Sequence, residues 1–95
     1  MSSFIVEVYA ADMSEADLAA VAARVRAAAK EVSLRGARVR YRRSIFVPQD
    51  EICIHMFEGP SAEVVRTASE RAGLVVERVL EALAEQGAPE SEDVV

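Results

Sequence analysis

The chain has 95 residues, enough for one hydrophobic core and too few for two. Its 52% hydrophobic and 28% charged residues, with three Pro and four Gly, exclude a disordered or low-complexity chain. Sixteen Asp and Glu against eleven Lys and Arg give a net charge of −5, the wrong sign for general nucleic-acid binding, and the single cysteine, Cys53, excludes an internal disulfide or a Cys-based zinc cage. Apolar runs such as residues 4–8 and 52–57 fall far short of the ~18–20 residues of a membrane span, and the N-terminus has no basic segment leading into a long apolar one. A cytoplasmic protein without a membrane partner is expected.

Residues 3–10 alternate, with Phe4, Val6, Val8 and Ala10 on one face and Ile5, Glu7 and Tyr9 on the other, which predicts a first strand. Ser14 followed by Asp17 three residues later is a helix-capping pattern, and Leu18, Val21, Ala22, Val25, Ala28, Ala29 and Val32 form the apolar stripe of a helix that Gly36 ends. Residues 38–47 are rich in β-branched and aromatic types, Pro48-Gln49-Asp50 is a turn signal, and residues 51–58 are again apolar, so a hairpin of strands two and three is expected. Gly59-Pro60-Ser61 then breaks the strand and caps a short second helix with Val64, Val65, Ala68 and Ala72 inward and Gly73 at its end. Over residues 74–86 the periodicity fits a helix or a short edge strand equally. From Gly87 the chain is acidic and rich in breakers, which divides it into one domain over 1–86 and a disordered tail over 87–95.

This order is the β-α-β-β-α-β pattern of the ferredoxin-like sandwich, an α+β fold in which an antiparallel sheet carries two helices on one face. The first and third strands are expected at its centre. If the more apolar phase faces the helices, Phe4, Val6 and Val8 join Ile52, Ile54 and Met56 in the core. The open face is then Ile5, Glu7 and Tyr9 beside Cys53, His55 and Phe57. No third layer exists to cover it, so a homodimer packed face to face as a dimeric α+β barrel is expected.

The residues from Arg38 to Leu74 resemble a family of small bacterial ferredoxin-like proteins of unknown function, one branch of which is described as nickel-binding. The resemblance rests on Tyr41 and Ser44 in the second strand, Asp50 in the turn, Cys53 in the third strand, then Phe57, Glu58, Gly59, Pro60 and Ser61, and finally Ala72, Gly73 and Leu74, with Phe4-Ile5-Val6-Glu7 matching the opening strand. It implies a strand over 76–82 and binding of nickel or another divalent metal. Many relatives have a His where Arg43 stands, so one candidate ligand is missing here.

His55 is the only histidine, and the assumed alternation places it within reach of Glu7 on the neighbouring central strand, an arrangement suited to proton transfer or metal ligation. The candidate pocket residues are Glu7, Tyr9, Tyr41, Arg43 and His55, and the candidate metal donors are His55, Glu7 and Cys53. Arg38, Arg40 and Arg42 are expected on one side of strand two and Arg43 on the other, either as an anion-attracting strip or as a charged guard against edge pairing. Two functions fit. One is a small homodimeric binding protein for a divalent metal or small molecule, with no other cofactor. The other is a dimeric α+β-barrel enzyme, a cyclase, isomerase or cofactor-free monooxygenase, built on the Glu7/His55 pair.

Overall fold

Alternation makes Ser2–Tyr9 the first strand, β1, and the long helix that follows, α1 (Glu15–Leu34), begins where the sequence places its cap. Ser14 Oγ accepts from the Asp17 amide and Asp17 accepts from the Ser14 amide, each at 3.0 Å, so two N–H groups with no partner inside the helix are satisfied reciprocally. The hairpin is β2 (Arg40–Val47) and β3 (Ile52–Gly59), joined by a 3-10 turn at Pro48–Asp50 and closed by Glu51 in the left-handed region. Then come α2 (Ala62–Arg71), capped by Ser61, and β4 (Arg78–Ala82), so the undecided segment is an edge strand. The computed structural model describes residues 1–85, and the tail expected from Gly87 lies outside them. No helix among the described residues is long and apolar enough to cross a membrane.

The sheet is antiparallel in the order β2-β3-β1-β4, with β1 and β3 central and both helices on one side, which is the ferredoxin-like arrangement. Its core joins Phe4, Val6 and Phe57 to Val25, Ala28, Ala29 and Val32 of α1 and Val65 and Ala68 of α2. The end of α2 is a Schellman turn: Gly73, at φ +87°, donates to Glu70 O and Leu74 donates to Ser69 O. That turn drives Leu74 back into the core.

The expected phase of β3 is reversed. Phe4 pairs with Phe57, Val6 with His55 and Val8 with Cys53, and paired residues share a face, so Cys53, His55 and Phe57 point toward the helices. Ile52, Ile54 and Met56 lie on the open face with Ile5, Glu7 and Tyr9. Gly59 belongs to the inward phase, and the reason is steric: a Cβ there would stand 3.1 Å from Val65 Cγ2, so α2 sits down on the strand only where the side chain is absent. The open face is consequently more apolar than the sequence reading assumed, with Ile5, Ile45, Ile52, Ile54, Met56 and Leu80 all half-buried.

A bulge in β2 overturns the second alternation. Tyr41 pairs with Phe57 and Arg43 with Met56, so Arg42 is an extra residue opposite one partner. Arg43 therefore shares the open face with Arg40 instead of opposing it, and Tyr41 and Ser44, three residues apart, both face the helices. Arg40 and Arg42 each approach Glu58 at 3.9 Å, a loose exposed pairing of little energetic weight.

Candidate functional site

The chemistry gathers on the helix side of the sheet, around a histidine with no solvent exposure. The β2 bulge brings Ser44 opposite His55 in the ladder, and Ser44 Oγ lies 2.6 Å from His55 Nδ1 and 2.5 Å from the Tyr41 hydroxyl. Tyr41 is itself held, edge-on to Phe57 at 5.7 Å between centroids and under the Arg26 guanidinium at 5.1 Å. A relay Tyr41–Ser44–His55 thus fixes one side of the imidazole. The other nitrogen, Nε2, is buried with no hydrogen-bond partner among the described residues. Burial alone pushes the imidazole pKa down to about 4, so the ring is neutral near pH 7 and Nε2 is a donor or an acceptor according to which way the relay's protons run.

Beside the ring lies a cavity of about 250 Å³ between the sheet and α1. Val8, Met13, Val21 and Leu74 give it apolar walls, His55 and Cys53 line it from β3, and Arg24 adds a polar group from α1. Cys53 is buried, and burial pushes its thiol pKa up, which keeps it protonated and a poor nucleophile. Arg24 is anchored by its Nε to Ala72 O at 3.3 Å, at the end of α2, and pairs with no carboxylate among the described residues.

The expected pair of Glu7 and His55 does not form. Glu7 lies opposite Ile54 and Val6 opposite His55, so carboxylate and imidazole are on opposite faces, and Glu7 instead accepts from Arg78 Nε at 2.7 Å. The enzyme built on that pair loses its base. Glu7 also drops out as a metal donor beside His55, and Arg43 is on the open face, away from the relay. Tyr41, Cys53 and His55 do share the helix side, whereas Tyr9, opposite Ile52, belongs to the open face and borders the cavity only at its rim. Ser44 and Arg24 were not singled out as site residues from the sequence: strict alternation puts Ser44 and Tyr41 on opposite faces, and Arg24 falls outside the apolar stripe of α1. The only sequence signal for Ser44 was its place in the family pattern.

Residues 4–82 match the family described as nickel responsive protein, SCO4226-like. The chain belongs to this family. The crystal structure of SCO4226 from Streptomyces coelicolor A3(2) matches with a TM-score of 0.74 and 21% identity, over 88% of this chain and 99% of that one, and it shares the fold. Among curated proteins none matches.

The family's name raises nickel, and the donors of this chain bear on it directly. Among the described residues no group of three or more His, Cys, Asp or Glu is placed to hold a metal ion. The cavity is lined by one imidazole and one thiol, with a guanidinium contributed by α1, whereas nickel takes four to six nitrogen, oxygen or sulfur donors and is repelled by a nearby cation. These residues do not fit a nickel centre within one chain of this family member.

Proposed function

We propose that this protein is a cytoplasmic, homodimeric binding protein whose site is the cavity beside His55 and whose ligand is a small organic molecule. The observation that carries the reading is His55, a fully buried imidazole beside an apolar cavity, whose Nε2 has no hydrogen-bond partner among the described residues while its twin nitrogen is held by a two-residue relay. A buried polar atom left unpaired costs about 1–3 kcal/mol. The donor set favours this small-ligand reading over a metal ion, since one chain brings a single imidazole and a single thiol to the cavity.

The dimer is supported by the open face. Ile5, Ile45, Ile52, Ile54, Met56 and Leu80 form a continuous apolar surface on one side of the sheet, with Glu7 neutralised by Arg78 within it, and nothing in the described chain covers it. A second copy offers the same surface, as an isologous interface requires.

Native mass spectrometry of untagged protein tests both parts at once. The expected species is a dimer that carries no stoichiometric nickel and retains or takes up small organic molecules. Calorimetric titration of nickel is expected to give the same weak heat for wild type and His55→Ala. A monomer at micromolar concentration would remove the dimer, and stoichiometric nickel lost in His55→Ala would replace the organic ligand with a metal.

A further inference from the structure

Imidazole nitrogen suits nickel and thiolate sulfur is the other strong transition-metal donor of a protein, whereas carboxylate and carbonyl oxygens suit magnesium, calcium and manganese. The whole chain has one imidazole and one thiol, His55 and Cys53. Both point to the helix side of β3 and both are closed to solvent, at 0% and 1% exposure. His55 Nδ1 is held by Ser44 Oγ at 2.6 Å and Nε2 is buried, so the ring presents no lone pair at a surface where an ion could gather further ligands. Cys53 binds a metal only as the thiolate, and burial opposes its ionisation.

A second copy on the open face does not change this. It lies across the sheet from both groups, so two-fold symmetry cannot bring two His55 rings, or the ring of one chain and the thiol of the other, to one ion. The open-face carboxylates each stand beside guanidinium groups: Glu7 accepts from Arg78 Nε at 2.7 Å, and Arg40 and Arg42 each approach Glu58 at 3.9 Å. Cations so placed repel a divalent ion. Unfolding does change the donor set. Cys53 and His55 are separated only by Ile54, so in the unfolded chain thiol and imidazole are exposed together and can turn onto one ion with no long loop to close. An ion that binds the unfolded chain and not the folded one destabilises the fold by mass action.

We infer that the folded protein, as one chain or as a dimer, excludes nickel, and that the ion binds the unfolded chain at Cys53 and His55 and so destabilises this member of a family described as nickel responsive. The inference depends on the burial of these two residues and not on the organic ligand, so its failure leaves that reading to its own test. Equilibrium urea denaturation of the full-length, untagged protein near pH 7 reads the sign of the effect, with nickel chloride at rising concentration and magnesium chloride as the oxygen-seeking control. The variants are His55→Phe and Cys53→Ala, each compared with its own midpoint without metal.

Once nickel exceeds its dissociation constant for the unfolded chain, each further tenfold rise should lower the folded-to-unfolded ratio about tenfold, so the wild-type midpoint falls. Magnesium should not move it. His55→Phe should abolish the fall and Cys53→Ala should reduce it. In concentrated urea, nickel should give the wild type a thiolate-to-metal charge-transfer absorption that the folded protein lacks, a readout that needs no variant to fold. A midpoint that rises with nickel would reveal a site in the folded protein and overturn the inference, as would charge-transfer absorption without urea. An unmoved midpoint, or a fall of equal size in both variants, would overturn the assignment to Cys53 and His55.

Discussion

His55 is held neutral by its surroundings, and that has a consequence for stability. Its pKa is pushed down to about 4 in the folded chain against about 6.5 unfolded, so between these values the unfolded state binds a proton that the folded state refuses. The stability it contributes is fully present above pH 6.5 and is lost progressively as pH falls toward 4, by up to about 3 kcal/mol. Since no other histidine is present, urea denaturation at pH 7 and pH 5 isolates this effect before most carboxylates protonate. Wild type should lose stability over that interval, and His55→Phe should not. Ser44 is the second residue-scale test. Ser44→Ala leaves Nδ1 buried and unpaired, so a loss of about 1–3 kcal/mol is expected, together with a shift of the His55 ring signals. An unchanged ring spectrum would show that the relay does not orient the imidazole.

At the scale of elements, α2 is seated by two glycines acting for different reasons. Gly59 has an ordinary backbone but no room, and Gly59→Ala should push Val65 off β3 at a cost of about 1–3 kcal/mol, the usual range for overpacking a tight contact. Gly73 has room but a positive φ, so Gly73→Ala should cost about 1 kcal/mol through backbone strain with nothing displaced. The two are told apart by a further substitution. Shrinking the obstacle with Val65→Ala should rescue part of the Gly59→Ala loss and none of the Gly73→Ala loss, measured by denaturant midpoints in a double-mutant cycle. Equal rescue of both would mean that the packing of α2, and not these local causes, governs each.

For the whole molecule, the decisive property is the uncovered face of the sheet. Ile5 sits between Met56 and Leu80 on that face, at the centre of its apolar surface. In the proposed dimer, Ile5→Glu places an unpaired carboxylate in the interface and should give monomer or aggregate. In a monomer the same substitution faces water and should change stability by less than about 0.5 kcal/mol. Sedimentation of wild type and variant at micromolar concentration decides between them. The cavity beside His55 is on the opposite side of the sheet, so ligand binding there should survive in a folded Ile5→Glu monomer.

The order and type of nearly every element could be read from the chain alone, because alternation, the Ser14–Asp17 cap and the breakers at Gly36, Pro48, Gly59 and Gly73 are local signals that act on adjacent residues. The helices' inward faces and the inward phase of β1 followed for the same reason. What local signals could not settle was decided by contacts distant in sequence. The phase of β3 was read wrongly because Ile52, Ile54 and Met56 are the more apolar set, so hydrophobicity alone pointed to the wrong one of the two faces. The choice between them comes from the register of Phe4 on Phe57 and from Val65 closing on the bare backbone of Gly59. Strand β4 needed β1 beside it to be distinguished from a helix. Ser44 joined Tyr41 through a bulge that breaks the period of two, and Arg24 reached the cavity because the end of α2 holds its side chain there. The site is thus a tertiary product: its residue types are visible in the sequence, and their meeting at one cavity depends on a strand register that only the folded sheet selects.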